Sequence, residues 1–333
     1  MDRKEIFIRD CSFSRAVRNS ALMADALINS PECRNIVVSI SGGADSDVLL
    51  DLFTHVDTDR KCTYMWFDTG VEFEATKRHL CYLEDRYHIE IVRRKPRIQI
   101  PESVAMNGSP FLSKRISAYI HRLQEHGFGW EDEPYEALAR RYPGCTAALR
   151  WWCNLWGEGS MFNIGQRKWL KEFLIQNPPW FRISDCCCRD VKMRTVREMI
   201  RECRADLNVS GVRRAEGGQR AVAYSDCYTG YNGRCGEFRP LFHWTMSDRL
   251  QYELRFGVVH SDCYGAYGLK RTGCCGCPLG RDVPGELEAT KTFERPLYER
   301  AKVVFSNSYE YTRMYREFAD AMAGKDRPER RFA

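Results

Sequence analysis

The first hundred residues alternate short apolar runs with longer amphipathic stretches. The apolar runs are rich in β-branched and aromatic residues, as buried strands are, and lie at 35–40, 63–67 and 89–92. The amphipathic stretches predict helices and lie at 12–30, 47–53 and 74–87. Strands that alternate with helices predict an α/β fold with a doubly wound, mostly parallel sheet.

The pattern changes twice farther along the chain. Residues 100–180 are irregular and rich in Trp, Tyr, Pro and Gly, which predicts an insertion around a site, and residues 286–323 are charged and helical. Rings in the insertion could stack on bases, although large rings more often pack in a core. We therefore expect an N-terminal helix in 1–30, a main domain in 31–283 with the insertion at about 100–180, and a helical tail in 284–333.

Composition restricts the compartment and the partners. The 333 residues are 44% hydrophobic, enough for a sizeable core, and the N-terminus lacks the apolar stretch of a signal peptide. No apolar run approaches the ~20 residues that cross a bilayer. Sixteen cysteines without an export signal indicate reduced thiols or metal ligands. We expect a cytoplasmic protein without a membrane partner.

The net charge of +6 permits a polyanionic partner without requiring one. The densest basic clusters are Arg93 to Arg97 and the group Arg140, Arg141 and Arg150. Each cluster could be an ordinary solvated surface or could flank a site for a polyanion.

A glycine loop joins the first predicted strand to the next helix, with the sequence Ser39-Ile-Ser-Gly-Gly-Ala-Asp-Ser46. Adjacent glycines let the backbone wrap an oxyanion, and the following helix presents unpaired N–H groups at its positive end. The loop therefore predicts a phosphate site. It is not the loop GxxxxGK[ST], because no lysine follows the glycines.

This segment resembles the SGGxDS loop of the PP-loop ATP pyrophosphatases, which cleave ATP between the α and β phosphates. The resemblance implies an adenine nucleotide alpha-hydrolase (HUP-like) fold that binds ATP with Mg²⁺. It also implies catalytic roles for Ser41 and Asp45, with Asp45 placing the metal ion. The implied phosphate-binding residues are Ser39, Ser41, Gly42, Gly43, Asp45 and Ser46.

Two further segments narrow the resemblance to the phosphoadenosine-phosphosulfate reductase superfamily. Asp68-Thr69-Gly70 follows the second predicted strand and is similar to the family's DTGxxFPET segment, which implies a place in the nucleotide pocket. The stretch from Gly211 to Arg220 looks like the family's GxRxxESxxR segment and implies anion contacts from Arg213 and Arg220. Guanidinium groups suit such anions because their N–H donors form a planar fork.

Six cysteines form two tight groups, Cys186-Cys187-Cys188 and Cys274-Cys275-Gly-Cys277. Four thiolates from two such groups could hold a [4Fe-4S] cluster or a zinc ion, or the thiols could be uncoordinated. The arrangement resembles that of assimilatory adenylylsulfate reductases and of the ATP pyrophosphatases of DNA phosphorothioation. This resemblance implies a [4Fe-4S] cluster and a role for Arg271 beside the cluster or the nucleotide. The implied ligands are Cys187, Cys188, Cys274 and Cys277, with Cys186 and Cys275 as extra cysteines.

Reductases of this superfamily attack sulfate sulfur with a cysteine near the C-terminus, and no cysteine follows Cys277 here. We therefore expect an ATP pyrophosphatase that adenylates a substrate for sulfur transfer, with a cysteine desulfurase as sulfur donor. DNA, tRNA and a small metabolite remain possible acceptors. One alternative is a reductase that uses Cys227, Cys235 or Cys263, and another is a sensor or scaffold that binds nucleotide and cluster without turnover.

Overall fold

A computed structural model describes residues 2–217, 223–230 and 235–325. The described residues form a six-stranded sheet in the order β3-β2-β1-β4-β6-β5, in which only β5 is antiparallel to its neighbour. The strands are β1 (Ile36–Ile40), β2 (Cys62–Phe67), β3 (Ile91–Arg94), β4 (Leu207–Ser210), β5 (Tyr228–Thr229) and β6 (Gly236–Phe238). The predicted α/β fold with a mostly parallel sheet is confirmed.

Strand β1 lies between β2 and β4, and Ile36 is in register with both Cys62 and Leu207. From β1 the chain winds first towards β2 and β3, and later returns to the other side of β1 to form β4 and β6. The loops after β1 and β4 therefore leave the same edge of the sheet in opposite directions. Such a switch point is where open α/β sheets bind ligands.

Helices connect and flank the strands, and we number them in chain order. They are α1 (Arg3–Asp10), α2 (Arg15–Ile28), α3 (Ala44–Val56), α4 (Glu74–Tyr87), α5 (Ile100–Asn107), α6 (Lys114–Glu125), α7 (Tyr135–Arg141), α8 (Thr146–Trp152), α9 (Leu170–Gln176), α10 (Cys186–Cys188), α11 (Arg194–Glu202), α12 (Met246–Phe256), α13 (Asp262–Gly265), α14 (Val283–Phe293), α15 (Arg295–Val304) and α16 (Ser306–Lys325). A π-helical turn, Arg189–Met193, separates α10 from α11.

The chain divides into two compact units, each made of three segments. Unit 1 comprises Met1–Gln99, Val191–Cys275 and Gly285–Leu297. Unit 2 comprises Ile100–Asp190, Gly276–Pro284 and Tyr298–Ala333. The stretch from 284 onwards, which the sequence suggested as one tail, therefore contributes to both units.

The sheet of unit 1 is covered on both faces. Ile36, Val38 and Ile40 project from one face of β1 into a core shared with helices α1 to α4. Val37 projects from the other face and packs with Met65 and with Met199 of α11. A strand buried on both faces needs apolar residues at successive positions, which explains the apolar run Ile36-Val37-Val38 in β1.

Unit 2 contains helices α5 to α9 in the stretch where the sequence predicted irregular structure, with loops between them. Its core is aromatic: Trp151 and Trp152 are buried, and Tyr311 of α16 packs against Phe111 and Phe173. Most of the large rings of this region thus serve packing, as large rings usually do.

Among the described residues, the structure contains no helix that is both long enough and apolar enough to span a membrane.

Candidate functional site

The glycine loop after β1 is a tight turn closed by its own residues. The backbone N–H of Ser41 donates to Oγ of Ser46 at 2.9 Å, and Gly42 has a φ of +67°. Gly43 is the N-cap of α3 and uses no side chain for capping. The loop therefore brings bare backbone to the positive end of a 13-residue helix, as the sequence predicted for an anion site.

The two glycines have no room for a side chain. A Cβ on Gly42 would lie 2.5 Å from Cγ2 of Thr76, and a Cβ on Gly43 would lie 3.0 Å from Oγ1 of Thr272. The hydroxyl of Tyr264 accepts a hydrogen bond from the N–H of Ala44 at 2.9 Å. Tyr264 and Thr272 thus border the loop from more than two hundred residues away, and Tyr264 was not predicted.

Asp45, in the first turn of α3, is the centre of an ionic cluster at the switch point. Arg213, which follows β4, donates from Nε to Oδ1 of Asp45 at 2.7 Å, and Arg249 of α12 donates to the same oxygen at 3.2 Å. Burial opposes ionisation of Asp45, but a hydrogen bond with Glu216 and the charges of both arginines lower its pKa. Asp45 is therefore a carboxylate that holds two guanidinium groups beside the loop.

Arg249 was not predicted, and it connects Asp45 to a second group of charges that is largely buried. Its Nε lies 2.9 Å from Oε1 of Glu253, which lies 3.2 Å from Nε2 of His260. Nδ1 of His260 is 2.8 Å from Oδ2 of Asp47, a residue with no exposed surface. Burial opposes protonation of His260, but its hydrogen bond to Asp47 and the nearby carboxylate of Glu253 raise its pKa to about 9. An imidazolium with this pKa is charged at neutral pH and balances the two carboxylates.

The segment Asp68-Thr69-Gly70 leaves the end of β2 as a turn. Oδ1 of Asp68 accepts the N–H of Gly70 at 3.0 Å, and Gly70 has a φ of +87°. Oγ1 of Thr69 donates to Glu72 at 2.6 Å and lies 3.6 Å from Sγ of Cys274. The fold thus joins the predicted nucleotide segment to one of the predicted cluster ligands.

Glu72 is a buried carboxyl group beside this contact. Burial raises the pKa of Glu72, and the positive charge of Lys192 and the hydrogen bond from Thr69 partly oppose this shift. Lys192 belongs to the π-helical turn that follows the first cysteine group. Such turns are frequent at functional sites.

The cysteines differ in their surroundings. Cys187 is buried, and Cys188, Cys274 and Cys277 are partly exposed. Nη2 of Arg189 donates to Sγ of Cys186 at 2.9 Å, and Sγ of Cys275 lies 3.5 Å from Oγ1 of Thr290. The two extra cysteines therefore have protein partners of their own.

The remaining predicted residues have these positions. Ser39 lies within β1 and donates from its hydroxyl to Asn208 of β4 at 3.2 Å, so this hydroxyl serves the strand pair. Arg271 is exposed. Arg220 lies outside the described residues.

Several arginines of the basic clusters are paired with carboxylates. Arg93 pairs with Glu84, Arg94 with Glu202, and Arg97 lies 3.4 Å from Glu198. In the other cluster, Arg141 pairs with two carboxylates, Glu131 and Glu133. These arginines have local carboxylate partners, which supports the interpretation of these positions as ordinary solvated surface.

A separate group of potential metal ligands lies near β5. One ligand atom each of Asp226, Cys227 and His243 falls within 4.8 Å of the others. Carboxylate, thiolate and imidazole together suit zinc. Burial and the neighbouring Asp226 raise the pKa of Cys227, so its thiol is a poor nucleophile without a metal ion.

Comparisons with known proteins identify a family and similar structures. A family model described as the phosphoadenosine phosphosulfate reductase domain matches residues 35–129 and 131–279. Phosphoadenylyl-sulfate reductase from Candida auris, solved as a phosphate complex, is similar in structure, with 12% identity over 77% of this chain and 87% of that chain and a TM-score of 0.42. The U34-tRNA thiolase NcsA from Methanococcus maripaludis, solved with its [4Fe-4S] cluster, has 10% identity over 92% of this chain and 80% of that chain, and a TM-score of 0.37. Neither likeness carries a function to this chain. No curated protein matches it.

Proposed function

Because this chain belongs to the phosphoadenosine phosphosulfate reductase domain family, we propose that it is an ATP pyrophosphatase that adenylates a substrate for sulfur transfer. The observation that carries the proposal is the meeting of the glycine loop, Arg213 and Arg249 around Asp45 at the switch point of the sheet. Bare backbone and two guanidinium groups beside a helix N-terminus suit a polyphosphate.

In the first step, an oxygen of the acceptor attacks the α-phosphorus of ATP. The new O–P bond forms as the bond to the bridging α–β oxygen breaks, and pyrophosphate leaves with that electron pair. The glycine loop holds the departing phosphates, and Arg213 and Arg249 neutralise the charge that develops on them. Asp45 holds both arginines in place and, with Mg²⁺ present, would offer a carboxylate ligand at the loop.

In the second step, hydrosulfide attacks the atom that carries the adenylated oxygen, and AMP leaves with that oxygen. We propose a cysteine desulfurase and a thiol reductant as the source of the hydrosulfide, and DNA or tRNA as the acceptor. The net change replaces one oxygen of the acceptor by sulfur at the expense of ATP.

We also propose that Cys187, Cys188, Cys274 and Cys277 hold a [4Fe-4S] cluster, which when bound supplies a site that carries or orients sulfur. The donor chemistry suits iron–sulfur ligation. The contact between Thr69 and Cys274 supports a cluster near the nucleotide segment, because it joins one proposed ligand to that segment.

The cysteines named for the alternative reductase have surroundings that disfavour it. Cys263 has no exposed surface and contacts Thr76, and burial raises its pKa. Burial and nearby carboxylates raise the pKa of Cys235 to about 11. A thiol that attacks sulfate sulfur needs the opposite shift, towards thiolate at neutral pH.

The test is to measure pyrophosphate release from ATP and sulfite release from adenylylsulfate by the same preparation. Arg249→Met should lower kcat/KM for ATP by about 10²- to 10³-fold, because it removes one group that neutralises the developing charge. Arg255→Met, on the same helix but exposed and 3.7 Å from Asp10, is the matched control and should retain wild-type activity. Sulfite release without pyrophosphate release would overturn the proposal in favour of the reductase. Absence of both activities from folded, ATP-binding protein would favour the sensor.

A further inference from the structure

Unit 2 exposes two aromatic rings on the loop between α8 and α9. Trp156 is 36% exposed and Phe162 is 44% exposed, whereas Trp151 and Trp152 just before them are buried. Their neighbours Leu155 and Met161 are also exposed. Large apolar side chains clustered on a surface indicate an interaction site, while single ones need no explanation.

A guanidinium group lies over each of the two rings, and both rings remain partly exposed. Arg150 lies over Trp156 with its Cζ 4.9 Å from the ring centroid, and Arg115 lies over Phe162 at 4.8 Å. The two rings are 6.1 Å apart and tilted by 54°. We call these four side chains the aromatic–arginine patch. In this patch the two guanidinium groups and the two aromatic rings lie next to one another on one surface.

The loop that carries the rings is held by buried and local polar contacts. Asn163, 8% exposed, accepts the N–H of Trp156 at 3.0 Å and donates to the carbonyl of Gly157 at 2.8 Å. Asn154 accepts the N–H of Gly165 at 2.9 Å. A loop fixed in this way loses little conformational entropy on binding, so its exposed rings are ready to contact a ligand.

Arg115 of the patch does not stabilise the helix α6 that carries it. Arg115 and the exposed Lys114 lie in the first turn of α6, and this turn, which Ser113 caps, contains no acidic residue. Positive side chains at a helix N-terminus are unfavourable, because the helix dipole is positive there. A bound anion would reverse this cost, and Arg115 would then contact both the anion and Phe162.

We propose that the aromatic–arginine patch binds unpaired nucleotides of the nucleic acid that accepts sulfur. This inference rests on the proposed function only for the identity of the acceptor. Bases with free π-faces stack on exposed rings irrespective of sequence, and guanidinium groups stack on bases or contact phosphates. A duplex hides its base faces, so the patch selects single-stranded or flipped-out nucleotides. An apolar peptide would gain nothing from the two arginines.

The experiment measures binding of the full-length protein to fluorescein-labelled oligothymidylate, oligouridylate and duplex DNA, each about 20 nucleotides long. Trp156→Ala and Phe162→Ala should each weaken binding of the single strands by roughly 5- to 100-fold. Arg115→Gln should lower the slope of log K against log salt by about 0.7 for each lost phosphate contact. The two single strands distinguish DNA from RNA as the source of the nucleotides.

The matched control is Trp180→Ala, because Trp180 is also exposed, at 53%, and lies elsewhere in unit 2 against Phe181 and Tyr311. It should leave binding unchanged, and thermal unfolding of every variant checks that unit 2 stays folded. Wild-type binding by Trp156→Ala, equal binding of duplex and single strand, or no binding of any oligonucleotide at low salt would each overturn the inference. Pyrophosphate release is measured separately. If the wild type binds single strands through the patch but releases no pyrophosphate, the proposed function is refuted and the inference about the patch stands.

Discussion

The ion pair between Asp45 and Arg213 allows stability and catalysis to be separated. The Arg213 side chain is only 5% exposed and that of Asp45 14% exposed. Asp45→Ala therefore leaves a buried guanidinium without its nearest carboxylate, and removing one partner of a buried pair costs about 3–5 kcal/mol. Because Asp45 is partly accessible, we expect the lower end, about 3 kcal/mol.

We expect the melting temperature of Asp45→Ala to fall by about 6–12 °C, at about 2–4 °C per kcal/mol for a unit of this size. The double variant Asp45→Ala/Arg213→Met removes both charges and fills the same space, so most of the lost stability should return. Neither variant should release pyrophosphate from ATP. Lys77→Ala, which breaks an exposed pair with Glu74, is the control and should change stability by less than about 0.5 kcal/mol.

The measurements are thermal unfolding and pyrophosphate release on the same preparations. Independent, additive effects of the two substitutions would show that the pair does not stabilise the fold. Wild-type turnover by the refolded double variant would refute the placement of Asp45 and Arg213 in the active site.

Three further predictions concern pH, the glycine loop and the cluster. Protonated His260 stabilises the fold fully below its unfolded pKa of about 6.5, and this stability is lost as pH rises through about 9. Between pH 7 and 10 the free energy of unfolding of the wild type should thus fall by up to about 3 kcal/mol more than that of His260→Gln. Urea unfolding of both proteins across this pH range would contradict this if the two lost stability equally. Gly42→Ala should reduce both turnover and stability because its Cβ would clash with Cγ2 of Thr76. Adding Thr76→Ser, which removes that methyl group, should restore part of each. If nothing is restored, the defect comes from the positive φ of residue 42 alone. Anaerobically purified protein should contain about four irons per chain, and one bound zinc instead would refute the cluster. Iron should be lost on single Cys→Ser changes at Cys187, Cys188, Cys274 or Cys277, and retained on changes at Cys186 or Cys275.

Elements that are determined by neighbouring residues were predictable from the sequence. The strand, glycine loop and helix from Ile36 to Val56 were predictable because apolar runs and adjacent glycines determine them over a few residues. The family resemblance implied that Asp45 and Arg213 both serve the nucleotide site. Their contact agrees with this, because the parallel strands place the loops that carry them at one edge of the sheet.

Residues that reach the site from distant segments were not predictable. Arg249, His260 and Tyr264 lie on or beside helices whose own patterns are ordinary, and only the tertiary fold brings them to α3. The helices between residues 100 and 180 were not predicted either, because they are short and interrupted by turns, and the many rings obscure the helical period.

The division of each unit into three chain segments affects how the protein is made. Tyr311 of α16 fills the core of unit 2 between Phe111 and Phe173, so this core cannot close until the ribosome has released a segment almost two hundred residues downstream of Phe111. During synthesis the aromatic surface of α6 to α9 is therefore exposed for many seconds, at about 5–20 residues per second. We expect nascent chains that stop before α16 to be captured by chaperones or to aggregate, and we expect expression to respond strongly to chaperone supply.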